Sequence, residues 1–141
     1  MQIKKENNKI IVILNAGEEI IASLAKLAKD ENIPSANISG IGALGHAVLG
    51  YYAQEQGGYA RQEFSGNLEL ISLLGNISWF DNEPVVHLHA CVGSPDYMPR
   101  AGHLFEGTVT VTAEIILDIM TTKLERQQDQ QFDFKKINLP D

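Results

Sequence analysis

The chain alternates between apolar runs with the two-residue periodicity of strands and short polar segments that contain glycine, asparagine or proline. Runs of β-branched and aromatic residues closed by such turn residues are typical of strands that pair with their sequence neighbours. The predicted strands are Lys9–Leu14, His46–Ala53, Tyr59–Phe64, Leu68–Trp79, Pro84–Gly93 and Gly107–Met120. Gly66-Asn67 is expected to break the chain between two of them.

One segment instead has the periodicity of a helix. Its apolar positions Ile20, Leu24, Leu27 and Ala28 fall on one face. Asn15 is predicted to cap a helix that ends after Asp30, with a glutamate three residues after the cap as in a capping box. The sequence therefore predicts an α+β fold, with a largely antiparallel, strongly curved or barrel-like sheet and one main flanking helix.

Three of the four histidines are placed where they can converge. Residues two apart in a strand point the same way, so His87 and His89 should project side by side. Ser94–Ala101 can form a hairpin loop, after which a returning strand begins at Gly102-His103. That strand can bring a third imidazole beside the first two.

Three imidazoles suit a divalent transition metal, because three protein ligands leave one coordination position open. Zinc held by His87, His89 and His103 is the prediction, and ligand chemistry leaves iron or another divalent metal open. The alternative is that these are hydrogen-bonded core histidines without a metal.

Other residues are candidates for chemistry beside the histidines. Glu69 and Glu114 each interrupt an apolar strand, where a carboxylate is costly to bury without a partner. Each is a candidate metal ligand, hydrogen-bond acceptor for an imidazole, or general base; the alternative is an outward-facing or salt-bridged residue. Arg61 and Arg100 are candidates to clamp a substrate carboxylate, and Arg100 is preferred because it closely precedes His103.

Length and charge restrict the class of protein. A chain of 141 residues is expected to be a single domain over residues 1–141, with a core at about 8–120 and a tail over 121–141 that packs on the surface or on a neighbouring subunit. The formal net charge of −7 argues against nucleic acid as a partner of this chain alone, since phosphate binding relies on Lys and Arg. Without a signal-like segment or membrane span, and with one cysteine (Cys91), a cytoplasmic location is expected.

Gly40, Gly42 and Gly45 have the spacing of a dinucleotide-binding fingerprint. The segment that follows them has strand propensity, whereas the fingerprint requires a helix start. No cofactor-binding role is therefore predicted, and a bulged strand or a close backbone approach is the preferred interpretation.

The sequence resembles the plants-and-prokaryotes conserved domain, a family that in prokaryotes often stands alone. The resemblance covers about residues 8–120 and rests on Gly17–Ile20, Ser39–Ala43, Gly50–Tyr52, Glu69–Asn76, Pro84–His89 and Gly102–Leu104. It implies an α+β sheet flanked by a helix, a homotrimer, and a metal site at the matching histidines. It further implies a fold similar to that of α-acetolactate decarboxylase. Plant members carry an AT-hook for A·T-rich DNA, which this chain lacks.

Two functions are compatible with these residues. In the first, a trimeric zinc protein carries out chemistry on a small molecule of unidentified structure. In the second, the domain is a non-catalytic oligomeric interaction module, or the DNA-binding protein that prokaryotic members are predicted to be. Whether the chain is an enzyme stays open at this point.

Overall fold

The computed structural model describes residues 1–132 and 134–139. In that part of the chain, a single α-helix accompanies eight strands. In chain order they are β1 (Gln2–Glu6), β2 (Lys9–Asn15), α1 (Ile20–Asp30), β3 (Ser35–Ala53), β4 (Gly58–Phe80), β5 (Glu83–Gly93), β6 (Pro99–Met120), β7 (Glu125–Gln128) and β8 (Lys135–Asn138). A one-turn 3₁₀-helix, Gln54–Gln56, joins β3 to β4.

Four long strands form a closed ring of hydrogen bonds. Antiparallel pairing runs from β3 to β4, from β4 to β5, from β5 to β6 and from β6 back to β3. Strand β2 continues the sheet beyond β6, and β1 pairs with β2. The predicted α+β class with an antiparallel, curved sheet is confirmed.

The helix packs against β5 and β6 through its apolar face. Its buried residues are Ile20, Leu24, Leu27 and Ala28, as the 3.6-residue period predicts. They join one core cluster with apolar side chains of β2 to β6, among them Leu14, Ile38, Leu73 and Leu88. In the described residues, no helix has the length and apolar character that a membrane crossing needs.

The prediction that the helix begins at Asn15 is wrong. Glu19 is the N-cap, and its carboxylate accepts a hydrogen bond of 2.6 Å from the backbone N–H of Ala22. The preceding residues are tied to β6 instead: Gly17 donates to the carbonyl of Val109, and Val109 donates to the carbonyl of Glu18. Because these backbone groups are used between segments, they cannot begin the helix.

Gly66-Asn67 does not break the chain, which corrects a second prediction. Both residues lie inside β4, whose pairing with β3 continues on either side of them. Gly66 has a φ of +112°, and the register shifts opposite it, between Leu44 and His46. The glycine therefore accommodates an irregularity within one long bent strand.

The glycines of β3 permit close approach between strands, as expected. Register shifts of β3 fall at Gly40/Gly42 against β4 and at Gly42/Leu44 against β6. A Cβ at Gly42 would lie 2.5 Å from the carbonyl oxygen of Thr112. The role of these glycines is thus to bring two backbones together.

The tail forms a hairpin of β7 and β8 that lies against the end of β4. A parallel bridge links Trp79 to Glu125, and the Trp79 N–H donates to the carbonyl of Leu124 at 2.8 Å. The hairpin is therefore attached to the strand that runs beside the histidine-bearing strand β5.

Candidate metal centre

The strand register brings the three histidines to one face of the sheet. His89 of β5 is the direct partner of His103 of β6, and antiparallel partners point to the same side. His87 lies two residues before His89 on that side, whereas Leu88 and Ala90 point into the core and are buried. The three imidazoles therefore converge across the β5–β6 hairpin, as predicted.

The imidazoles are close enough to share an ion. Ring centroids are 5.0 Å apart for His87 and His103, 5.3 Å for His87 and His89, and 5.6 Å for His89 and His103. Each ring offers a nitrogen such that the three lie within 4.8 Å of one another. Nδ1 of His103 is buried without a hydrogen-bond partner among the described residues. A buried nitrogen lone pair needs a partner, and a metal ion would supply one.

The environment favours the neutral form of His87 and His103, which is the form that binds metals. Burial lowers the pKa of His103 to about 4, with further lowering by His87 and His89. Burial also lowers the pKa of His87, assisted by the positive charge of Arg126. At neutral pH the lone pairs of both rings are therefore available.

Arg126, from the tail strand β7, reaches the histidines. Its Nη2 lies 3.2 Å from Nδ1 of His87 and 3.1 Å from Oδ1 of Asn76. Its Nε donates to Oγ of Ser78 at 2.7 Å, and its Nη1 donates to the carbonyl of Lys135 at 2.7 Å. The tail hairpin thus places a guanidinium directly beside the candidate metal ligands.

A cavity of about 680 Å³ opens above the histidines. The barrel strands contribute Tyr52, Tyr59, Asn76, Val85, Val86 and the three histidines, and the tail contributes Arg126, Phe134, Lys135, Lys136 and Ile137. Cavities of this size bind small molecules in many proteins. The site can therefore hold an ion and an organic ligand together.

The other predicted site residues lie away from this cavity. Glu69 and Glu114 are exposed, and Glu114 lines a separate apolar groove on the sheet. Arg100 hydrogen-bonds to the carbonyl of Met98 at 2.9 Å and lies 3.7 Å from Asp96 in its own loop. Cys91 is half-buried and does not line the histidine cavity. Within one chain, the structure does not bring these residues to the histidines.

Sequence reasoning missed Arg126 and Tyr59. The ring centroid of Tyr59 lies 5.1 Å from that of His103. The two residues come together because β3 pairs with β6 on one side, where Gly50 is the partner of His103, and with β4 on the other. Arg126 lies at the start of a polar, glutamine-rich segment without strong periodicity. Its only sequence signal is that it is the single arginine of the tail.

Comparison with known proteins identifies the family. The model of the Plants and Prokaryotes Conserved (PCC) domain matches residues 1–121. The chain belongs to the PCC domain family. This confirms the resemblance found in the sequence, and the tail hairpin that carries Arg126 lies beyond the matched residues. No curated protein matches the chain.

Two solved structures of other proteins are similar to this one over almost the whole chain. A "putative dna binding protein" from Bacteroides thetaiotaomicron is 30% identical, with a TM-score of 0.93 over 97% of this chain and 96% of that chain. A metal-containing protein from Archaeoglobus fulgidus is 30% identical, with a TM-score of 0.85 over 98% of this chain and 96% of that chain.

A more distant likeness concerns the fold alone. A protein of unknown function similar to alpha-acetolactate decarboxylase, from Staphylococcus aureus, matches with a TM-score of 0.55 and 12% identity. The match covers 86% of this chain and 54% of that chain. The expected similarity of architecture is thereby confirmed, and it carries no statement about activity.

Proposed function

We propose that this PCC domain is a cytoplasmic, homotrimeric zinc protein that binds and transforms a small organic molecule at its three-histidine site. The observation that carries the proposal is the convergence of His87, His89 and His103, with the buried Nδ1 of His103 unpartnered among the described residues. The metal-containing relative from Archaeoglobus fulgidus supports it. Three imidazoles with an open fourth position suit zinc, and iron is the alternative ion.

The chain's own residues define what the site does. His87, His89 and His103 would hold the ion, which when bound supplies a Lewis acid for a carbonyl or acidifies a water molecule. Tyr59 packs at the edge of His103, and its phenol is a candidate hydrogen-bond donor to a ligand. The predicted proton carriers, Glu69 and Glu114, would have to come from a neighbouring subunit to take part, because both lie outside the cavity of their own chain.

The proposed trimer is supported by an apolar outer face of the sheet, formed by Ile41, Ile71, Leu74 and Ile116. These side chains are exposed, at 55%, 54%, 57% and 43% respectively. They line one groove of about 420 Å³. Exposed apolar surface of this kind is typical of an interface. Closed cyclic assembly is the usual result for identical chains.

Metal analysis of the purified protein tests the proposal. We expect about one equivalent of zinc per chain after incubation with zinc and removal of excess ion. A content below about a tenth of an equivalent after zinc addition would refute the metal site. Sedimentation of the same sample tests the trimer separately.

A second candidate is a non-catalytic interaction module that binds DNA. It is favoured by the printed name of the relative from Bacteroides thetaiotaomicron. The net charge of −7 opposes it, since binding to phosphates depends on basic residues. A titration with duplex DNA at low salt separates the two candidates, because the zinc proposal expects no affinity there.

A further inference from the structure

We propose that Arg126 is the anion-recognition residue of the histidine cavity, and that the ligand is a small organic carboxylate with an apolar body. The inference deepens the proposed function and rests on it for the second anchor of the ligand, the metal ion. Its own support comes from the contacts of Arg126, the charge of the cavity and the nature of the walls.

The guanidinium of Arg126 is held entirely by neutral groups. Its partners are the hydroxyl of Ser78, the amide oxygen of Asn76, the carbonyl of Lys135 and Nδ1 of His87. A guanidinium has five N–H donors, so the four contacts leave one donor for a ligand, and the donor that faces His87 becomes a second one when that ring holds an ion. No carboxylate of the described residues forms an ion pair with it, unlike Lys136, which lies 2.7 Å from Asp129.

Partial burial raises the energetic cost of the Arg126 charge, which has no carboxylate partner among the described residues. Arg126 is only partly exposed. A charge withdrawn from water without a counter-ion is unfavourable, and binding an anion offsets that cost. Lys135 does not take the same role, because its Nζ lies 3.8 Å above the ring of Phe80. The cavity is therefore electropositive, with Arg126 as the cation that contacts the histidines, and its described lining contains no acidic residue.

The walls around this cation are apolar and aromatic. The ring centroid of Tyr52 lies 5.4 Å from that of Tyr59 and 6.1 Å from that of Phe134. Val86 and Ile137 complete the apolar lining. A planar guanidinium matches a carboxylate well, and the rings offer surface for a hydrocarbon portion. An inorganic anion would use the guanidinium and leave these walls in contact with water.

Benzoate, benzamide and acetate are the probes that separate the parts of this proposal. Calorimetric titration of the full chain, before and after zinc loading, should show benzoate binding more tightly than the neutral benzamide. It should also bind more tightly than acetate, which lacks the apolar body. Equal affinity for benzoate and benzamide, or no measurable binding of benzoate, would overturn the proposal without any variant protein.

Variants then assign the anion contact. Arg126→Gln should weaken benzoate binding about tenfold or more, as expected for loss of a charge-assisted hydrogen bond. Arg126→Lys should weaken it less, because it keeps the charge but loses the planar fork. Arg100→Gln, a matched change at the arginine outside the cavity, should leave the affinity unchanged. Unchanged affinity in Arg126→Gln, or a loss in Arg100→Gln alone, would contradict the assignment.

Zinc content measured on the same samples separates this inference from the proposed function. If the protein binds one equivalent of zinc and benzoate binds equally well to the wild type and to Arg126→Gln, the inference is refuted and the metal site is supported. Absence of zinc binding together with Arg126-dependent benzoate binding would support the inference and refute the metal site.

Discussion

Nη2 of Arg126 donates a hydrogen bond of 3.2 Å to Nδ1 of His87, although the two residues are 39 positions apart in the chain. The contact joins the tail hairpin to the strand that carries two of the three histidines. Since an arginine can only donate, the contact uses the Nδ1 lone pair of the neutral His87 ring, and an ion held by that ring would take its place. The cavity is thus a composite of barrel and tail.

Replacing the three histidines together tests whether the ion has a role in assembly. The variant with His87, His89 and His103 changed to Ala should lose zinc binding and keep the oligomeric state of the wild type. The reason is that the exposed apolar groove at Ile41 and Ile71 does not depend on the imidazoles.

His46 offers the matched control for that experiment. It is the fourth histidine of the chain and lies 3.4 Å from Glu63 and 3.5 Å from Glu106, away from the cavity. His46→Ala should retain a full equivalent of zinc, measured by elemental analysis. Loss of the oligomer in the triple variant, seen by light scattering, would instead indicate a structural ion.

Stability should depend on pH through His103. Its pKa is about 4 in the folded chain and near 6.5 when unfolded. Below pH 6.5 the unfolded chain binds a proton that the folded chain does not, so the free energy of unfolding falls as pH drops from 6.5 to 4. His87, whose pKa is also lowered, acts in the same direction.

Urea unfolding in the presence of a chelator measures this effect. The loss of stability between pH 7.5 and pH 4.5 should be smaller in His103→Gln than in the wild type. Equal losses in the two proteins would show that His103 titrates at its ordinary pKa in the folded state.

Gly75 should be intolerant of any side chain. It pairs with Leu88, and a Cβ at this position would overlap the carbonyl oxygen of His87. Gly75→Ala should lower the free energy of unfolding by about 2–3 kcal/mol, because β4 and β5 would have to separate. Chemical denaturation measures the change. Gly58→Ala, at a position with open space around it, should change stability by less than about 0.5 kcal/mol.

A charge in the apolar groove should prevent self-association. Ile41→Asp places a carboxylate among Ile71, Leu74 and Ile116, where burial against another chain would strip it of water. We expect a monomer in sedimentation and light scattering. Tyr97→Asp, at a loop residue that is 92% exposed, should leave the assembly intact. An unchanged oligomer in Ile41→Asp would place the interface elsewhere.

The parts of the site that follow from local sequence could be predicted. The alternation of His87, Leu88 and His89 fixes which side chains share a face, and the short loop before His103 brings a third imidazole beside them. The helix stripe from Ile20 to Ala28 follows from its period in the same way.

The parts that were missed depend on contacts between distant segments. Residues 15–19 carry a capping pattern, and the carboxylate of Glu18 does accept from the N–H of Asn15 at 2.7 Å. The helix nevertheless starts at Ile20, because Gly17 and Glu18 bond to Val109, 90 positions or more away. Arg126 lines the histidine cavity and Arg100 does not, because the tail folds into a hairpin that its weak sequence periodicity does not predict. Contacts between segments that are distant in sequence do not produce a local residue pattern.

The tail hairpin has a consequence for how such proteins diversify. The three histidines lie on strands β5 and β6, which the closed ring of hydrogen bonds keeps in place, so changes in these strands endanger folding. The opposite wall is a separate hairpin outside that ring of hydrogen bonds, attached to β4 at Trp79 and through Arg126, so a change in its side chains disturbs the barrel less. The composition of the cavity wall can thus vary while the histidine cluster stays constant.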